Sequence, residues 1–150
     1  MKLHLFRKAL PLAVGAWVMM GTLAQAATYL PPVHRSGTVD YLTGGIGLDE
    51  STAIQSVSKK WPLTLEFAIK DKNRADYAAG VHIVMRNAHQ HPALQVTSEG
   101  PFLLAKVTPG DYTVDASLAG KTLHRKVVVT AGQPTKVVFL WPTGTGVSHS

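Results

Sequence analysis

Two short clusters hold the side chains that could do chemistry, and the first is the His-Gln-His run at residues 89–91. Imidazole nitrogens bind Zn²⁺ and Cu²⁺, but a metal centre needs a third and a fourth ligand at defined geometry. His82 and Met85 are near in sequence, yet strand alternation sends them to opposite faces, so they cannot chelate together. We therefore favour two solvated turn histidines, with a copper or zinc site at His89 and His91 as the alternative.

The second cluster is a glycine-rich acidic segment, residues 43–50 (TGGIGLDE), ahead of a predicted helix. Helix N-termini attract anions, but two carboxylates occupy the place that an anion would take. Three glycines in four positions indicate a required backbone shape, because glycine is costly to order. We favour a structural interpretation, in which the segment is a hinge or tight turn that ends in an acidic helix cap, and keep a binding site as the alternative. The residues predicted to bind a partner's backbone or a cation are Gly44, Gly45, Gly47, Asp49 and Glu50.

Basic residues gather on the last predicted hairpin, at Lys121, His124, Arg125, Lys126 and Lys136. This charge either protects an edge strand from aggregation or docks the protein to anionic glycans or lipid headgroups. Nucleophilic catalysis finds no support, because the chain has no Cys and no Gly-x-Ser-x-Gly. The sequence also shows no pair of acidic residues at positions that would suit general acid–base catalysis. We predict that the protein is not an enzyme and needs no cofactor.

The N-terminus predicts export. Residues 1–8 carry three basic side chains, residues 9–23 are apolar, and Ala24-Gln25-Ala26 follows. A basic start, a short apolar helix and an A-x-A site are typical of a secretory signal peptide. The apolar run is shorter than the roughly 20 residues that cross a bilayer. We expect residues 1–26 to be removed by cleavage after Ala26, leaving a periplasmic or secreted protein without a transmembrane segment.

The net charge of the processed chain limits the classes of partner that it is expected to bind. Three basic residues leave with the signal peptide, so the formal net charge falls from +6 to +3. A mildly basic exported protein is a poor candidate for nucleic-acid binding, and anionic envelope surfaces match its charge better. The partner predicted from this is an envelope protein or an anionic envelope polymer, with no nucleic acid.

Hydrophobic periodicity predicts an all-β domain at residues 44–141. Leu63, Leu65, Phe67 and Ile69 alternate with polar or small residues, which is the pattern of a half-buried strand. Gly and Pro divide the domain into seven predicted strands, at residues 61–70, 80–87, 93–97, 102–107, 112–118, 122–130 and 135–141. Seven short strands with hairpin connections favour an antiparallel two-sheet sandwich, with a barrel as the alternative.

The flanking segments complete the predicted organisation. Residues 27–43 have no sustained period and are expected to form an extended arm. Asp49 suits an N-cap, and an apolar stripe that includes Ile46 and Ile54 predicts a short helix at residues 49–59, before the first strand. The small, polar residues 142–150 are expected to form a disordered tail.

Residues 107–114 (VTPGDYTV), followed by Ala119-Gly120-Lys121 and a Val-rich strand, resemble the L-x-P-G-x-Y-x-V hairpin of carboxypeptidase regulatory-like domains. Pro109-Gly110 suits the tight turn, and Tyr112 suits a return to the core. The resemblance implies a transthyretin-like (prealbumin-like) or immunoglobulin-like β-sandwich. Residues 43–50, ahead of a helix and an L-x-L-x-F-A strand, resemble small exported bacterial proteins of unassigned role that end in this same sandwich.

The resemblance also bears on function, because the domains in question serve as accessory or binding modules. It favours a non-catalytic exported binding or structural module of the bacterial envelope. The alternative is a periplasmic copper- or zinc-binding protein that uses His89 and His91. The chain does not resemble the transthyretin-like enzymes that hydrolyse a purine-breakdown intermediate, because it lacks their C-terminal Tyr-Arg-Gly-Ser and their opening His-Val-Leu-Asp.

Overall fold

The structure, a computed structural model, describes residues 29–146. The predicted signal peptide, its cleavage site after Ala26 and residues 147–150 lie outside the described residues. The elements in chain order are β1 (His34–Ser36), β2 (Val39–Gly44), α1 (Leu48–Val57), a 3-10 turn (Ser58–Lys60), β3 (Leu63–Asp71), β4 (Arg74–Tyr77), β5 (His82–Asn87), β6 (Pro92–Thr97), β7 (Phe102–Lys106), β8 (Gly110–Leu118), β9 (Lys121–Val129) and β10 (Thr135–Trp141).

These strands form two sheets, which confirms the predicted all-β two-sheet sandwich with one short helix. The six-stranded sheet runs β1-β2-β7-β3-β10, with β4 paired to β3 beyond the end of β7, and the four-stranded sheet runs β6-β5-β8-β9. One pair departs from the expected antiparallel arrangement, because β10 and β3 are parallel. The chain reaches β10 from the opposite sheet, so no hairpin with β3 dictates its direction.

The described chain holds ten strands where seven were predicted. The additional ones, β1, β2 and β4, lack the alternation of a half-buried strand. All four residues of β4 are exposed, so its sequence shows no buried face. In β2, Val39 joins the main core and Leu42 joins a second cluster on the other face, so both faces are buried. The segment expected to be only an extended arm therefore supplies two strands of the larger sheet.

The main core lies between the two sheets. Leu63, Leu65 and Phe67 of β3 are fully buried there, as their alternation predicted. Tyr112 also returns to this core, and its hydroxyl donates to the Thr108 carbonyl at 2.6 Å. A second, smaller cluster lies on the outer face of the six-stranded sheet beneath α1, and its buried members are Leu42, Ile54, Trp61, Phe102 and Leu104.

Helix α1 differs in detail from the predicted helix. Gly47, with φ 84°, is the N-cap, and no side chain caps the helix there. Asp49 lies in the first turn instead, so the predicted Asp49 cap is wrong. Ile54 is buried and holds α1 on the sheet, whereas Ile46, assigned to the same apolar stripe, is 64% exposed. Within residues 29–146, no helix has the length and apolar character needed to cross a membrane.

The residues after β10 form a turn as far as the structure describes them. Thr145 is buried, and its hydroxyl donates to the Pro142 carbonyl at 2.7 Å. This ordered turn replaces the first part of the tail that was expected to be disordered.

Candidate functional site

The glycine-rich segment contains a close crossing of two backbones. Gly44, at the end of β2, lies against Gly100, where an added Cβ would overlap the Gly44 carbonyl group. Thr43 secures the crossing, because its hydroxyl donates to the Phe102 carbonyl at 2.9 Å and accepts from the Glu99 amide at 3.0 Å. Packing therefore accounts for the glycine at position 100. At position 44, an added Cβ would overlap Pro31 and the Glu50 carboxylate, so space restricts that position as well.

The acidic residues of this segment lie in different surroundings. The Glu50 carboxylate accepts the Gly45 amide at 2.6 Å, so it closes the loop from within. A Cβ on Gly45 would stand 2.5 Å from the Phe102 ring, so space also restricts that position. Asp49 is exposed. Of the two acids predicted to meet a partner, the structure therefore leaves Asp49 on the surface and engages Glu50 internally.

His89 and His91 lie in the turn between β5 and β6. The amides of both residues donate to the side-chain oxygen of Asn87, at 3.0 and 3.1 Å, so Asn87 shapes this turn. Both imidazoles are exposed, with ring centroids 6.4 Å apart. In the part of the chain that the structure describes, no group of three or more His, Cys, Asp or Glu side chains could hold a metal ion. The two histidines remain a candidate pair that lacks further ligands from these residues.

The basic residues of the last hairpin divide between the two sheets. Lys136 on β10 lies on the outer side of the six-stranded sheet and pairs with Glu66 at 2.5 Å. Arg125 on β9 reaches toward β10 of the other sheet, where its guanidinium carbon lies 5.8 Å from the centre of the Phe139 ring. The expectation of one basic cluster is therefore wrong for Lys136. Of these basic residues, His124 and Lys126 face outward from the four-stranded sheet.

Asp115 is the centre of a charged cluster on the outer face of the four-stranded sheet. Its Oδ2 accepts from Arg86 Nη1 on β5 at 3.0 Å, and its Oδ1 accepts from His124 Nδ1 on β9 at 2.6 Å. An ionised carboxylate only accepts hydrogen bonds, so the imidazole hydrogen at this contact lies on Nδ1. The side chains of Arg86 and Asp115 are 36% and 30% exposed, so their ion pair is half-buried.

Sequence reasoning missed Arg86 and Asp115 because they are distant in the chain. Alternation along β5 and β8 places both side chains on the outward face, and this was the available signal. Their meeting depends on the register of two strands that are not consecutive, in which Arg86 pairs with Thr113 and Val84 pairs with Asp115. The β8–β9 register then adds His124 opposite Asp115.

A depression of about 420 Å³ surrounds the charged cluster. Among residues 29–146, neither Arg125 nor Lys126 forms an ion pair with a carboxylate. The depression therefore holds more positive than negative charge, and a concave surface of one sign concentrates ligands of the other. The lining residues are Arg86, Gln90, Thr113, Asp115, His124, Arg125 and Lys126.

Known proteins provide no family assignment for this chain. No protein-family model matches the sequence, and no curated protein matches it. A solved structure with a similar fold is GBS52, the minor pilin of the gram-positive pathogen Streptococcus agalactiae, at 14% sequence identity and a TM-score of 0.45. The match covers 60% of this chain and 49% of the pilin chain, so this chain spans about half the length of that one. A likeness this distant identifies no function.

Proposed function

We propose that this protein is a non-catalytic binding module of the bacterial envelope, and that it takes an anionic envelope polymer on the outer face of the four-stranded sheet. The observation that carries the proposal is the surplus of positive charge around Asp115. Arg86 and Lys126 contribute two permanent cations against that one carboxylate, His124 adds a further basic group, and Arg125 lies at the edge of the depression.

A purely structural role leaves part of this charge unexplained. The ion pair of Arg86 with Asp115 would by itself join β5 to β8, and a pair that remains in contact with solvent stabilises a fold by only about 0–1 kcal/mol. Lys126 lies directly across from Thr113 and forms no ion pair within the described chain. Uncompensated cations in a depression destabilise a fold slightly and attract anions, so the arrangement fits binding better than stabilisation.

The segment at residues 107–114 supports the assignment of this protein as a binding module. It carries the chain from β7 in the six-stranded sheet to β8 in the four-stranded sheet, so the predicted hairpin is a crossing between the sheets. Pro109 and Gly110 lead the chain into β8, and the Tyr112 hydroxyl bonds back to the Thr108 carbonyl. The sequence of this segment is the part that resembles carboxypeptidase regulatory-like domains, which are accessory or binding modules. The predicted signal peptide would bring such a module to the periplasm or the cell exterior.

Binding of linear polyphosphate to the exported protein tests the proposal, because this polyanion carries charge without other recognition groups. We expect binding that weakens as salt rises, since salt screens exposed charges. Lys126→Glu should weaken it by about tenfold, equivalent to about 1.4 kcal/mol. Lys70→Glu makes the same charge change on the exposed end of β3 in the other sheet and should have little effect.

Two results would overturn this function. Equal weakening by Lys126→Glu and Lys70→Glu would show that only net charge matters. Failure of every polyanion to bind, together with recovery of one envelope protein by the purified chain, would assign the partner to the protein class instead.

A further inference from the structure

The charged depression continues into a groove along β8 and β9. A second depression of about 330 Å³ shares Gln90, Thr113 and Lys126 with the first. The floor of the groove consists of three cross-strand pairs, which are Asp115 with His124, Thr113 with Lys126, and Asp111 with Val128. A strand rises about 3.3 Å per residue, so the floor from Asp111 to Asp115 is about 13 Å long. This length suits an extended chain better than a single ion.

One wall of the groove is the turn that holds Gln90. Gln90 has φ 62°, in the left-handed region that residues other than glycine adopt at a cost. Its backbone amide donates to the Asn87 carbonyl at 2.9 Å, and Gln90 lines both depressions. The strained turn therefore brings an exposed glutamine, whose carboxamide can both donate and accept hydrogen bonds, to the wall that the two depressions share.

The groove offers acceptors as well as donors. Asp111 and Asp115 accept hydrogen bonds, whereas Arg86 and Lys126 donate them, and Arg86 keeps further N–H groups beyond the one bonded to Asp115. A phosphate chain presents only acceptor oxygens here and would be repelled by both carboxylates. A chain that carries hydroxyl groups and spaced negative charges can use donors and acceptors together. Val128, which is 61% exposed, adds an apolar surface at one end.

We propose that this groove binds a segment of an acidic polysaccharide, with a ligand carboxylate at Arg86 and Lys126 and ligand hydroxyls donating to Asp111 and Asp115. The inference rests on the proposed function, because it uses the same cationic residues. It adds the ligand class: a carboxylated sugar chain is preferred to a phosphate chain, although both carry negative charge.

The test compares three probes by isothermal titration with the exported protein: a hexamer of galacturonic acid, the neutral galactose hexamer, and linear polyphosphate of equal charge. The galacturonate hexamer should bind most tightly. Gln90→Ala and Asp111→Asn should each weaken its binding by about threefold to tenfold, the effect of losing one hydrogen-bonded group. Neither substitution should weaken polyphosphate binding, whereas Lys126→Glu should weaken both charged probes.

Gln95→Ala is the matched control for Gln90→Ala, because it removes an exposed carboxamide from β6 of the same sheet, outside the groove. Urea unfolding of each variant verifies that the fold is intact. If polyphosphate binds as tightly as the galacturonate hexamer, or if Gln95→Ala matches Gln90→Ala, the polysaccharide inference is wrong while the anion-binding function stands. If neither charged probe binds, both fail.

Discussion

Gly44 and Gly100 pack backbone against backbone, and a Cβ placed on Gly100 would stand 2.8 Å from the Gly44 Cα. Gly100 is not among the described glycines with positive φ, so this position needs glycine for space and not for its backbone conformation. Because the end of β2 and the approach to β7 meet here, the glycine-rich segment helps to close the larger sheet.

Gly100→Ala should therefore destabilise the protein by about 1–3 kcal/mol, the usual cost of overpacking a closed site. Gly37→Ala is the control, because nothing lies within 4 Å of its Cβ position but its φ is 59°. That control should cost about 1 kcal/mol through backbone strain alone. Urea unfolding compares the two. Equal stability of Gly100→Ala and the wild type would show that the two backbones can separate, which would favour a binding role for the segment.

Glu50 and Asp49 should respond differently to loss of charge. Glu50→Gln weakens the charge-assisted bond to the Gly45 amide and should cost about 1–2 kcal/mol in unfolding free energy. Asp49→Asn alters an exposed first-turn residue and should change stability by less than about 0.5 kcal/mol. Chemical unfolding measures both. Equal effects would contradict the internal role of Glu50.

The binding role that the sequence predicts for residues 43–50 is tested by the double variant Asp49→Ala with Glu50→Ala. If the segment is a site, the folded variant should lose recovery of its partner from envelope extract. Loss of stability and of partner in proportion would assign the segment to the fold alone.

Phe67→Ala should destabilise the protein by about 3–5 kcal/mol, because it opens a cavity in the main core. The Phe67 ring is fully buried, with its centroid 5.9 Å from that of Phe139 and 6.3 Å from that of Trp141. Lys70→Ala, on an exposed residue of the same strand, should leave the melting temperature nearly unchanged. A similar melting temperature for both variants would contradict the position of the core.

The alternative metal function rests on His89 and His91. Two exposed imidazoles without further ligands do not make a metal site, so titration with Cu²⁺ or Zn²⁺ should produce only a weak, nonspecific response. The variant His89→Ala with His91→Ala should give the same response. Tight, saturable binding that the double variant loses would instead support a metal site completed by residues outside the described part of the chain or by a second molecule.

Much of the fold could be predicted because individual strands and turns leave patterns in a few neighbouring residues of the sequence. The alternation of Leu63, Leu65 and Phe67 identified β3, since side chains of a strand alternate between faces. The Pro109-Gly110 pair identified the start of β8, although the chain crosses there to the other sheet and forms no hairpin with β7. The signals failed for β4, which is exposed on both faces, and for β2, which is buried on both faces through Val39 and Leu42. In neither strand does burial alternate with polarity, so periodicity carries no information there.

The sequence by itself determined that this is an all-β sandwich with one short helix, and which charged side chains its strands turn outward. Only the tertiary structure decided which of those side chains meet. Arg86, Asp115 and His124 come together because β5, β8 and β9 are neighbours in one sheet with a particular register. Lys126 and Lys136 separate because β10 leaves β9 for the other sheet. Contacts between strands depend on sheet order and register, and these are set by packing of the whole chain and not by neighbouring residues.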